Sequence, residues 1–196
     1  MLQRLISYWV YRGALAGVLL LALSPLFLAG WSPALAATFL HLPAYMIHQY
    51  EEHDQDRFRL FFNETIGQGF DMPTSWAVFI TNVAGVWGVI GLSLYGAVYG
   101  GLGWALVAVN LVLVNALVHI VHAVIFRRCN PELVTAVVVF LLLGSFTLHL
   151  INQSGGGVVS GHVLGLVVAV AIHAAILLHV QCKLAALQRA GATRAA

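Results

Sequence analysis

Two imidazoles and two adjacent carboxylates stand together at His48-Gln49-Tyr50-Glu51-Glu52-His53, directly after the apolar run LAATFLHLPAYMI. Neutral imidazole with carboxylate is the ligand set of hydrolytic zinc and of non-haem iron or manganese sites. On a helix His48 and Glu52 lie one turn apart on one face, so both can reach the same cation. Glu51 beside them is then free to act as a general base on a bound water, or to orient a ligand. Asn115, His119 and His122 repeat the pattern as a second stripe, and His173 adds an imidazole late in the chain. The candidate metal ligands are therefore His48, Glu52, His119, His122 and His173. Glu51 and Asn115 are the candidate catalytic residues, Asn115 by orienting a histidine or a substrate carbonyl. His53 is expected at the solvated boundary.

The setting makes such residues costly. Of 196 residues, 61% are hydrophobic and only 8% charged, against roughly a quarter charged in soluble domains. An ionised side chain at the centre of a lipid-facing helix costs roughly 2.5–3.5 kcal/mol or more, so it turns to a bundle interior, a cavity or the aqueous edge. Apolar stretches near the ~20 residues that cross a bilayer predict helices at 13–30, 33–52, 75–99, 103–126, 132–152 and 158–180. The expected fold is all-α, a polytopic bundle of about six transmembrane helices forming a single domain over 1–196. Its breaks are short and marked by glycine, proline or charge, at GWSP, YGGLG, RRCNPE and NQSGGG. The mixed segment RFRLFFNETIGQGF, ahead of Pro73, reads as an amphipathic piece at the membrane surface.

Basic residues orient the bundle. All nine Lys and Arg, from Arg4 and Arg12 through Arg57, Arg59, Arg127 and Arg128 to Lys183, Arg189 and Arg194, fall on one side when six helices are threaded. The positive-inside rule makes that side, with both termini, cytoplasmic. Integration in the plasma or inner membrane is the expected localisation. A rival reading takes residues 1–36 as a cleaved signal with Ala34-Leu35-Ala36 at its end. Cleavage there would move Arg57, Arg59, Arg127 and Arg128 to the external face, against the charge rule. A net charge of +2 gives no electrostatic footprint for nucleic acid. Cys129 and Cys182 fall at cytoplasmic helix ends without metal-pair spacing and read as reduced thiols.

Helical rise sets the depths. His41, Tyr45, His48 and Glu52 form one stripe on the second helix, and Asn115, His119 and His122 another on the fourth, both toward the cytoplasm. His173 lies about ten residues, or ~15 Å, from Lys183, a depth compatible with His119. His149, Asn152 and His162 belong to an outer layer, and whether they form a second site is left open. Each polar residue alone can be an interhelical hydrogen-bonding group, and the paired glutamates the wet end of a span. Two stripes at matching depth point to an inner site.

At His48-Gln49-Tyr50-Glu51-Glu52 the chain resembles the HXXEE family of multi-helix membrane proteins, named for this motif, and its length and hydrophobicity agree. The resemblance implies a membrane helix bundle and carries His48, Glu51 and Glu52; it brings no established reaction. The function expected from the residues is a metal-dependent membrane enzyme, a hydrolase acting on a lipid or other amphiphile near the cytoplasmic leaflet. Its cofactor is a divalent metal, zinc favoured over iron, and its partners are membrane lipids and a small amphiphilic substrate. The alternative is a small transporter or proton-coupled permease with a histidine relay. A bis-histidine haem between His119 and His173 ranks third.

Overall fold

In lipid every backbone polar group must be satisfied within the protein, which leaves helices as the form for long apolar runs. The computed structural model describes residues 1–67, 69–70 and 74–195, and among them regular structure is entirely helical. Six long helices are α1 (Leu2–Phe27), α2 (Pro33–His53), α4 (Ser75–Tyr99), α5 (Ala105–Phe126), α6 (Leu133–Gln153) and α7 (Val159–Ala195). The short α3 (Arg57–Thr65) follows α2. Five stretches, in α1, α4, α5, α6 and α7, are long and apolar enough to cross a membrane. The chain is thus a membrane helix bundle.

Two boundaries differ from the sequence expectation. The first helix begins at Leu2 rather than 13, and the last runs to Ala195 rather than 180. Apolarity marks where a helix is in lipid, whereas helical hydrogen bonding continues past that edge, with arginine and lysine heads reaching water along their apolar stems. A non-helical Tyr8 (φ −124°, ψ 16°) marks the bend in α1.

The centre of the bundle is α2, entered through Pro33 in the first turn and the Ser32 hydroxyl accepting from Leu35 N–H at 3.3 Å. Its buried face carries Thr38, His41, Tyr45, His48, Gln49 and Glu52. Around it the main core joins Tyr45, Val86, Ile90, Leu111, Val112 and Phe140. Helices α5 and α7 approach at Gly161 and Gly165, a small-xxx-small pair: a Cβ on Gly165 would lie 2.8 Å from the Leu106 carbonyl carbon. Without side chains there, the backbones meet.

Two wide turns interrupt the α-helical winding, at Ile80–Trp87 in α4 and Ala136–Phe140 in α6. A π turn bonds i with i+5, so residues five apart come onto one side. Asn82 and Trp87 in α4, and Thr135 and Phe140 in α6, are such pairs, and both pairs face α2.

Candidate functional site

The motif helix presents its residues to three neighbours. Thr135 donates its backbone N–H to Glu51 Oε2 at 2.9 Å and its hydroxyl to the same oxygen at 2.5 Å. His48 Nδ1 lies 2.5 Å from the Thr135 hydroxyl oxygen, and Asn115 Nδ2 donates to His48 Nε2 at 3.3 Å. Phe140 covers the His48 ring, centroids 4.3 Å apart, while Tyr45 meets its edge at 5.5 Å. On the other side of α2, Gln49 Nε2 donates to Asn82 Oδ1 at 2.7 Å and the Trp87 indole donates to Gln49 Oε1 at 2.5 Å. His48 and Gln49 are fully buried.

Glu52 is reached by several imidazoles. Its Oε2 is 3.4 Å from His53 Nε2 and 3.9 Å from His48 Nε2. The His119 ring stands 5.4 Å from that of His48, centroid to centroid. His119 Nδ1 is 2.9 Å from Glu132 Oε2, and Nε2 of this buried ring has no hydrogen-bond partner among the described residues. Asn130 donates to the His119 carbonyl at 2.8 Å and holds the loop that carries Glu132 against α5. Glu132 lies outside the membrane-crossing stretches; burial pushes its carboxyl above the ordinary carboxylate range, with His119 pulling the other way.

A cavity of about 320 Å³ opens beside this network. Phe58, Phe62, Val86, Leu111, Ile172 and Ile176 form much of its wall, and Glu52, Asn82, Asn115, His119, His122 and His173 are among its polar groups, with Thr81 and His179. An apolar pocket with a few convergent polar side chains is the usual form of a small-ligand site. Phe58 and Phe62 belong to α3, which packs on α7 through Phe62, Val180 and Leu184. Two consecutive left-handed residues, Gln55 (φ 54°) and Asp56 (φ 63°), turn the chain back so that α3 lies over the cavity.

The sequence-selected residues divide. His48, Glu52 and His119 meet in one buried polar group, with Asn115 joining His48 to His173, whose Nε2 is 3.4 Å from Asn115 Oδ1. His122 and His173 are half-buried in the cavity wall, and the His122 ring lies against Phe126 at 5.9 Å. Glu51 points at Thr135. Among the described residues, no three His, Cys, Asp or Glu side chains already stand at metal-ligand spacing. His53 is not solvated as expected: it is buried, because Trp9 of α1 packs on it at 5.2 Å and Phe58 of the returning α3 at 5.1 Å.

Gln49, Asn82, Glu132 and Thr135 went unselected. An asparagine inside the apolar run of α4 and a glutamate beside Pro131 were the available signals. In the outer layer, His162 Nε2 meets Asn152 Oδ1 at 3.2 Å and His149 is exposed. Cys129 and Cys182 are free and exposed.

A family model described as a protein of unknown function with an HXXEE motif matches residues 39–147, more than half of the chain. The chain belongs to the HXXEE family. The matched stretch of this HXXEE protein holds the motif, Asn82, Asn115, His119, Glu132 and Thr135, and leaves out α1 and α7 with His173. No curated protein and no solved structure matches the chain.

Proposed function

We propose that this HXXEE protein is a membrane-embedded hydrolase that takes the polar end of an amphiphile into the cavity beside Glu52 and His119. The observation that carries the reading is His119 itself: a buried imidazole on the cavity wall, with Nε2 unpartnered and Nδ1 2.9 Å from a buried carboxylate, Glu132. A histidine with one nitrogen against a carboxylate and the other turned to a ligand space is arranged for proton transfer. In the step envisaged, a water oxygen bonds to the electrophilic carbon or phosphorus of the polar head while its proton passes to His119 Nε2. The bond to the leaving oxygen or nitrogen then breaks, and that atom takes the proton back from His119. Asn115 and His173 line the same space as hydrogen-bonding groups for the head. The apolar wall accepts the chain, and a volume near the low end of the ~300–1,000 Å³ range suits one chain or a head rather than a whole bilayer lipid.

The basic ends of α1, α3, α5 and α7 support a site at the cytoplasmic leaflet under the positive-inside rule, with both termini inside. A transport relay gains no comparable support, since the His162–Asn152 contact lies in the outer layer and His149 points outward. The test is a panel of single-chain amphiphilic esters, amides and phosphoesters supplied in micelles, with product release followed by mass spectrometry. Turnover by the parent and its loss in His119→Asn, with amphiphile still bound, is the expected result. Amphiphile binding without turnover of any member of the panel would contradict the hydrolase.

A further inference from the structure

The hydrogen bonds behind His48 run in one direction. A carboxylate oxygen can only accept, so Glu51 Oε2 takes both protons of Thr135, from N–H and hydroxyl. With its one proton so placed, the Thr135 hydroxyl oxygen accepts from His48 Nδ1–H. A neutral imidazole carries one proton, and Nε2 of His48 is left to accept from Asn115 Nδ2 at 3.3 Å. The other end of that amide, Oδ1, is thereby turned toward His173 Nε2, 3.4 Å away. His173 obeys the same logic on α7. Its Nδ1 lies 2.8 Å from the Ala169 carbonyl, which can only accept, so the ring proton sits there and Nε2 is an acceptor. Asn115 Oδ1 and His173 Nε2 are thus two acceptors facing each other. Their 3.4 Å separation is longer than the ~2.7–3.2 Å of an ordinary N–H···O bond. Both residues line the cavity, whereas Glu51, Thr135 and His48 stand behind its wall.

We infer that Thr135, acting through His48, holds Asn115 with its oxygen toward His173, and that this pair of acceptors binds one N–H or O–H donor in the polar head of the amphiphile. That deepens the hydrolase reading, on which it rests, by naming the chemistry of the head. A donor about 3 Å from both atoms shares its hydrogen between them as a three-centre bond. Such a donor relieves two facing lone pairs, while a head made only of acceptors, such as a plain ester, adds a third. Among hydrolysable heads the pair favours a secondary amide, whose N–H adjoins the scissile carbonyl, with His119 on the same cavity wall. Thr135 is a positioning residue: it fixes which end of the Asn115 amide the cavity meets. Without its hydroxyl the amide is free to turn over and present Nδ2, a donor that an ester carbonyl accepts.

The experiment uses the full chain in detergent micelles with three probes of equal acyl length: N-methyldodecanamide, which has an N–H, and N,N-dimethyldodecanamide and methyl dodecanoate, which have none. Binding is read by calorimetry against protein-free micelles. The parent should bind the secondary amide about 10–100-fold more tightly than the other two, because they leave buried polar groups without a partner. In Thr135→Val the preference should fall below about threefold, while Thr135→Ser, which keeps the hydroxyl, should retain it. Imidazole ¹⁵N shifts give a readout that a purely structural role would not move: His48 and His173 should each carry one proton, on Nδ1, in the parent. Size-exclusion profile and helicity confirm assembly of each variant; should Thr135→Val fail to assemble, Thr135→Ala carries the comparison. Equal affinity for the three probes, a preference undiminished in the variant without the hydroxyl, or a His173 ring protonated at both nitrogens overturns the inference. Turnover is followed on the same samples. Hydrolysis without selective binding overturns the donor site alone, and selective binding without hydrolysis overturns the hydrolase alone.

Discussion

The two ends of α5 handle polar groups in opposite ways. Toward its start, Asn110 donates to the Leu106 carbonyl one turn back, and Ser93 of α4 both donates to the Trp104 carbonyl at 2.7 Å and accepts from Ala108 N–H at 3.1 Å. Those groups are satisfied by helix backbone, and close packing does the rest, with Gly161 and Gly165 of α7 set against Leu106. Toward its end, Asn115 meets side chains from α2 and α7 and His119 meets Glu132 in the loop before α6, and unpartnered atoms remain among the described residues: Nε2 of His119 and one oxygen of Glu132. A polar group in a membrane helix is therefore not by itself a sign of function. What separates the ends is whether the group is closed by its own surroundings or left open toward a cavity, because a buried unsatisfied group costs stability that a purely structural site has no reason to forgo.

That contrast can be broken from either side. The largest effect is expected for Glu51→Ala, which strands the N–H and hydroxyl of Thr135 and removes the anchor behind His48; roughly 3 kcal/mol of destabilisation follows from the 1–3 kcal/mol lost per stranded buried group. A thermal unfolding series in detergent measures it, and a shift no larger than a surface substitution's would mean that the network does not hold α6 to α2. Next is Gly165→Val at the packed end. Its side chain meets the Leu106 backbone, for an overpacking cost of about 2 kcal/mol. Proteolytic release of α7 together with a lowered midpoint is the expected readout.

Thr135→Val sharpens the comparison. It keeps shape and the backbone hydrogen bond to Glu51 but removes the hydroxyl that accepts from His48, for about 1 kcal/mol. The larger consequence falls on His48, whose ring loses its fixed tautomer; ¹⁵N chemical shifts of the imidazole should change from one protonated nitrogen to an averaged pair. The smallest effect is expected for His162→Ala in the outer layer, within about 0.5 kcal/mol of the parent, with unaltered amphiphile binding. A marked loss there would join the outer layer to the function and dissolve the distinction between the ends.

How far the sequence foretold these arrangements depends on distance along the chain. Periodicity of 3.6 placed His41, Tyr45, His48 and Glu52 on one face of α2, and Asn115 and His119 on one face of α5, because those relations lie within single helices. Thr135 and Glu132 escaped since their roles arise from a loop and a helix start folding onto α2 and α5, which no local pattern encodes. Asn82 and Trp87 escaped for a different reason: five residues apart, they diverge on an α-helix and converge only on the π turn of α4. His53 was misplaced because its burial depends on two distant segments, Trp9 and the chain reversal at Gln55 and Asp56. Of the two imidazoles beside Glu52, the motif supplied His48, and tertiary packing buried His53.

The account's central claim is that Glu52 sits in an open site rather than in a strut, and a single substitution separates the two. Glu52 borders the cavity, with His53 Nε2 and His48 Nε2 at 3.4 and 3.9 Å from its Oε2. In detergent micelles, Glu52→Gln should leave the thermal midpoint unchanged or raise it, since it removes a buried charge and keeps the shape of the side chain. The same variant should weaken amphiphile binding, because Glu52 lines the cavity. A midpoint that falls by several degrees would show that the carboxylate is a structural partner and would contradict the site.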